Sequence, residues 1–147
     1  MTAGRTTYEL SADEARTWDG ITDEIGARLL PVLDRLVRSM PTTTGALVAT
    51  ADGFNLCALG LPADRVERIC AMTSAVFSMA ATVLPSDDAG PADLLAIGSG
   101  DTATVVLSVP ALTVGSAVLW VSADHETLGS LLYRSRAAAA EIAELGV

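Results

Sequence analysis

Apolar residues recur along this chain with two alternating periods, and the changes of period divide it into helix, two strands, helix, three strands, helix. Ile21, Ile25, Leu29, Val32, Leu33, Leu36 and Met40 fall three or four apart, which predicts a long amphipathic helix with one buried stripe. Ahead of it, Ser11-Ala12-Asp13-Glu14 has the form of a capping box and predicts a separate short helix stopping near Asp19-Gly20. Pro31 is expected to kink or split the longer helix, because its ring displaces the hydrogen bond to the Ala27 carbonyl. Pro41 lies just past the end, where proline commonly sits.

Alternation then takes over. Gly45 to Thr50 and Phe54 to Leu59 read as strands joined by Ala51-Asp52-Gly53, and Asp-Gly between two apolar runs is a strong hairpin signal. After Gly60-Leu61-Pro62, Asp64 and Glu67 resemble a second capping arrangement at the head of a helix from Asp64 to Leu84. Pro85 to Pro91 is a polar loop with Asp87 and Asp88. Leu94 to Ile97, Thr102 to Val109 and Val114 to Ser122 are three strands in quick succession, joined by Gly98-Ser99-Gly100-Asp101 and by Pro110-Ala111-Leu112-Thr113. Asp124 is expected to cap a last helix running to Leu145, with Leu128, Leu131, Leu132, Ala139, Ile142 and Leu145 inward. Ala46-Leu47-Val48-Ala49 and Ala117-Val118-Leu119-Trp120-Val121 are apolar on both faces, as strands in the middle of a doubly covered sheet are. Two helices on one face and one on the other supply that cover.

The Asp64 to Leu84 helix is unusual, because no charged residue occurs between Arg68 and Asp87. Val66, Ile69, Cys70, Thr73, Phe77, Ala80 and Leu84 form one apolar stripe. The opposite side carries Ala71, Met72, Ala75, Ser78, Met79 and Thr82, which are small or flexible residues where a surface helix would carry charges. One stripe is therefore expected on the domain's own sheet and the other against a second protein surface, with another copy of the chain as first choice. A chain of 147 residues has little material left to cover that second face. The length suits one domain, read as 21–147, with residues 1–20 as a partly flexible extension.

Half the residues are apolar, enough for a real core. The uncharged run has the length of a membrane span, but Thr73, Ser74, Ser78 and Thr82 dilute it and Pro85 stops it, so no membrane insertion is expected. The first residues lack an apolar signal segment, and a cytoplasmic location follows as the expectation. Cys57 and Cys70 then read as reduced packing residues in preference to a disulfide. The net charge of −9 opposes nucleic acid and anionic lipid as partners. All nine basic residues are arginines; the missing lysine fits the codon bias of a GC-rich genome. Glu24 with Arg28, Asp34 with Arg38 and Asp64 with Arg68 are acid-first i,i+4 pairs of solvated helix faces.

No constellation for catalysis is present. Gly98-Ser99-Gly100-Asp101-Thr102-Ala103 matches a dinucleotide fingerprint, but that mechanism needs a helix next, whereas Thr102-Ala103-Thr104-Val105-Val106 is a strand. A hairpin turn is the better reading. His125, the only histidine, is placed in the first turn of the last helix as an exposed residue with no matching nucleophile. Cys57 and Cys70 are not spaced as metal ligands, and without lysine there is no phosphate loop. Neither cofactor nor metal is expected.

The first hairpin Gly45-Ala46-Leu47-Val48-Ala49-Thr50-Ala51-Asp52-Gly53-Phe54, the small-residue helix Ala71 to Ala81, the closing meander at Val118-Leu119-Trp120-Val121 and the final helix with Arg134-Ser135-Arg136-Ala137-Ala138 resemble the roadblock family, of the dynein light chain and bacterial GTPase-regulator type. The resemblance spans Ile21 to Leu145. It implies an α+β sandwich with a five-stranded, mainly antiparallel sheet in order 2-1-5-4-3. It also implies a homodimer in which the second helices pack together and the third strands pair edge to edge, which brings Leu94 and Ala96 to the interface. The same resemblance implies a non-enzymatic regulator or scaffold for a small Ras-like GTPase, with a sensor-kinase-like protein as a further partner, and it supplies no catalytic motif.

The alternative is a small-molecule-sensing domain of related α/β shape. Such a pocket needs polar groups converging in an apolar cavity, whereas the expected core is aliphatic and the chain holds six aromatic residues. An enzyme of unrecognised type ranks third.

Overall fold

The computed structural model describes residues 12–84, 93–112 and 115–147. The elements follow in the order α1 (Ala12–Ser39), β1 (Thr43–Thr50), β2 (Asn55–Leu59), α2 (Ala63–Val83), β3 (Leu94–Ser99), β4 (Thr102–Leu112), β5 (Gly115–Asp124) and α3 (Leu128–Glu144). The strands form one antiparallel sheet in order β2-β1-β5-β4-β3. β1 and β5, the two strands apolar on both faces, lie inside it, and β2 and β3 are its edges.

Alternation sorts the side chains into two cores. Ala46, Val48, Val105, Leu107, Val109, Leu119 and Val121 pack with Leu29, Leu33 and Met40 of the α1 segment and Leu131 and Ile142 of α3. Leu47, Ala49, Val106, Val118 and Trp120 face the other way, under Val66 and Cys70 of α2. Two helices thus cover one face and α2 alone covers the other. Cys57 belongs to the first core and Cys70 to the second, so the sheet stands between them and both are free thiols. Burial raises the pKa of both, that of Cys70 to about 11, which keeps them protonated and unreactive.

Turn chemistry closes the first hairpin. Thr50, 1% exposed, donates its hydroxyl to Asp52 Oδ1 at 2.6 Å and accepts the Phe54 N–H at 2.9 Å, while Gly53 takes φ 100°. Gly26 has a packing role: a Cβ there would lie 2.4 Å from the Leu56 carbonyl oxygen, so only glycine lets α1 come so close to β2.

Several boundaries differ from expectation. No break occurs at Asp19-Gly20, and α1 is one helix of 28 residues that includes Pro31. Residues 12–20 are therefore its first turns; the proposed cap at Ser11 lies outside the described residues, as do the loop with Asp87 and Asp88 and residues 113–114. Ala27 and Pro31 both lie on the exposed side, where water can take the carbonyl that proline leaves unpaired. β4 extends to Leu112, with a register irregularity after Val109, where Pro110 has no N–H to give the ladder. α2 begins at Ala63 after Pro62, with no side-chain cap, so Asp64 sits inside the first turn and does not open the helix. Asp124 ends β5 and accepts the Thr102 hydroxyl at 2.6 Å; the cap of α3 is Thr127, whose side chain accepts the Ser130 N–H at 3.1 Å. Of the three acid-first pairs, Asp34–Arg38 and Asp64–Arg68 form, at 3.0 and 3.6 Å. Arg28 instead donates to the Leu145 carbonyl at 2.9 Å.

Two outcomes follow from this packing. Gly26→Ala forces the new methyl against backbone and should lower stability by about 1–3 kcal/mol, read from the denaturation midpoint; an unchanged midpoint contradicts the close approach. In the native protein neither thiol should react with an aqueous thiol reagent at neutral pH, and both should react once the chain is unfolded without any prior reduction.

Candidate functional site

Two regions of the described surface merit attention as sites. The first is the outer side of α2. The helix holds the sheet through Val66, Cys70 and Thr73, which are buried, and through Ile69, Val76 and Phe77, which are partly so. Thr73 spends its hydroxyl on the Ile69 carbonyl at 3.0 Å, so it enters the core with its polar group satisfied. Burial fades toward the C-terminal end: Ala80 is half-buried and Leu84, expected on the inner stripe, is 41% exposed. Ala71, Met72, Ala75, Ser78, Met79 and Thr82 are all exposed, Met79 at 68%. Val83, on neither of the two stripes, is exposed as well. Val83 and its C-cap Leu84 end α2, and a helical wheel carries no sign that the helix leaves the sheet there. Among the described residues α2 is the helix long and apolar enough to cross a bilayer, yet it forms one layer of this fold.

β3 continues the same region at the sheet edge. Pairing of Leu95 with Val106 and of Ile97 with Thr104 sets Leu95 and Ile97 on the α2 side. Leu94 and Ala96 alternate to the other side; Leu94 packs into the core shared by α1 and α3, and Ala96 is exposed. The side chains that carry the apolar surface from α2 toward β3 are therefore Leu95 and the exposed Ile97. Leu94 and Ala96 contribute to this edge through their backbone groups, beyond which no strand lies among the described residues.

The second region is an open cleft of about 540 Å³ at the end of the sheet, bounded by the β3–β4 turn and the segment before α3. Ser99 pairs with Thr102, so Gly100 and Asp101 form a two-residue hairpin turn, with Gly100 at φ 60°. The glycine pair that imitates a dinucleotide fingerprint is thus strand and turn, with no helix after it. His125 is not in a helix turn. It takes φ 56°, a left-handed conformation, with its N–H on the Asp101 carbonyl at 2.8 Å and its Nδ1 3.5 Å from Asp101 Oδ2. Beside it, the Thr42 hydroxyl donates to Glu126 Oε2 at 2.8 Å, which with a bond from Ser130 holds the Glu126 carboxyl below its ordinary pKa. The exposed imidazole and the Asp101 carboxylate thus stand side by side at this cleft, together with the hydroxyl residues Thr102 and Thr127. Among the described residues no His, Cys, Asp and Glu side chains gather into a metal-binding group.

No protein-family model matches the sequence, and no curated protein is detectably similar to it. Solved structures are. A roadblock/LC7 domain from Streptomyces avermitilis superposes with a TM-score of 0.64 at 21% identity, covering 84% of this chain and 95% of that one. The gliding protein MglB from Thermus thermophilus gives 0.70 at 14% identity, over 83% of this chain and 90% of that one. Myxococcus xanthus MglB gives 0.65 at 16% identity, over 84% and 88%. Strand order, the two-to-one arrangement of helices and these superpositions agree: the chain has the fold of the roadblock family.

Proposed function

We propose that this chain is a self-associating regulatory or scaffold module, without enzymatic activity of its own, that binds a small Ras-like GTPase. The observation that carries the reading is the outer side of α2, where exposed Met72, Met79 and Val83 stand in a helix segment with no charged residue. An apolar face of this kind at the surface of a small domain marks a protein contact. The open edge of β3, with Ile97 beside it, lets the same contact continue along the sheet in a second copy. A tetrameric arrangement is known for MglB, one of the structural neighbours, which supports self-association in this fold. A GTPase partner rests on the likeness to roadblock regulators.

A self-complementary face of this type is disrupted by burying a charge in it. Met79→Asp should convert the assembly to a monomer of about 15 kDa while leaving the fold intact, because a carboxylate desolvated without a partner costs several kcal/mol. Phe77→Ala should do the reverse, keeping the assembly state and lowering stability by about 2 kcal/mol, since the ring packs only partly against the core. Sedimentation and thermal melts separate the two effects. A wild-type protein that sediments as a monomer at micromolar concentration removes the self-association reading.

Nucleotide chemistry should need an added partner. The purified chain should neither bind nor hydrolyse GTP, because its glycine pair is a hairpin and it has no lysine to neutralise phosphate. Any influence on turnover should appear only with a GTPase present, through its switch loops. GTP hydrolysis by the isolated protein that is lost in Gly98→Ala and Gly100→Ala overturns this.

A further inference from the structure

Across the sheet from α2, α1 and α3 run together and leave a groove of about 200 Å³ between them. Leu36 and Ala138, both buried, form its floor. Arg35 of α1 and Glu141 of α3 close one part of it with an ion pair that joins the two helices. Along the α3 wall stand Tyr133, Arg134 and Ala137. Tyr133 is 77% exposed, and Ala137, one turn further on, is too small to close the groove beside it. The result is an apolar notch with an aromatic rim.

Charge gives the notch a sign. Glu141 occupies Arg35 and Asp34 occupies Arg38. Arg134 has no hydrogen bond or ion pair among the described residues, and its pull on Glu126 is the smallest of the effects on that carboxyl. On a chain of net charge −9, this groove is lined by a cation that no described residue pairs with directly. Tyrosine and arginine at the mouth of an apolar pocket are also the residue types that contribute most to protein contacts.

We propose that the α1–α3 groove docks an acidic segment of a partner protein. One apolar side chain of the segment sits over Leu36 and Ala138, between Tyr133 and Ala137, and a flanking carboxylate pairs with Arg134. The groove and the α2 face lie on opposite sides of the sheet, so both can be occupied at once, and this proposal does not rest on self-association through α2.

Peptide display on the full-length chain tests it. A random library of peptides about twelve residues long, roughly three helical turns, is selected on the wild type. Recovered peptides are synthesised and titrated by fluorescence polarisation. The expected sequences carry a Leu, Ile, Phe or Met flanked by Asp or Glu. Ala137→Trp, which fills the notch, and Arg134→Glu, which reverses its charge, should each weaken binding at least about tenfold. Arg65→Glu, the same charge reversal at an exposed α2 position on the far face, should leave it within about twofold. If Ala137→Trp loses its helical circular dichroism, Arg134→Glu at an exposed position decides alone. Selection of neutral or basic peptides, no selection at all, or equal binding to wild type and Arg134→Glu overturns the proposal.

Discussion

A sheet whose inner strands are apolar on both faces has to be covered twice, and almost everything else in this molecule follows from that demand. β1 and β5 bury Ala46, Val48, Leu119 and Val121 on one side and Leu47, Ala49, Val118 and Trp120 on the other. With three helices among the described residues to divide between two faces, one face receives a pair and the other receives α2 alone. A helix that covers a sheet by itself presents only one side to it. Its remaining side must be charged, or meet something else. In this chain the charges stop at Arg68.

The two faces also divide the surface chemistry. Around α1 and α3 the arginines are partly matched by neighbouring acids, and Arg35 with Glu141 ties the helices together across their groove. After Arg68, α2 itself carries no charged residue, and affinity on its outer side would have to come from apolar area and close fit. A contact on the first face is tuned by charge. A contact on the second is tuned by shape.

Much of this was legible from residue order because the signals were local. Asp52-Gly53 marked its hairpin, the stripe at Val66, Cys70 and Thr73 found the sheet, and the β-branched run after Gly100 ruled out a nucleotide loop. What failed to show depended on neighbours distant in sequence. Pro31 sits within an unbroken helix because Ala27 faces water, which the 3.6-residue period alone does not reveal. Asp124 looked like a helix cap but is drawn into β5 by Thr102, 22 residues away, and His125 is turned by the Asp101 carbonyl. Leu94-Leu95-Ala96-Ile97 is apolar at every position, so alternation could not say which residues share a side with α2; only pairing with β4 settles it. The fade of burial toward Leu84 was hidden for a similar reason, since a helical wheel carries no information about where the sheet beneath it ends.

The two edges of the sheet are not equivalent. At β2, the backbone of α1 comes so near the Leu56 carbonyl at Gly26 that a single methyl group would collide with it. At β3, no strand or helix among the described residues lies beyond. A sheet with two open edges can add copies without limit and grow into a ribbon. Two sheets that join along β3 would leave a β2 strand outward at each end. Growth beyond two copies would then depend on β2, the strand against which Gly26 seats α1, at the opposite end of the sheet from β3.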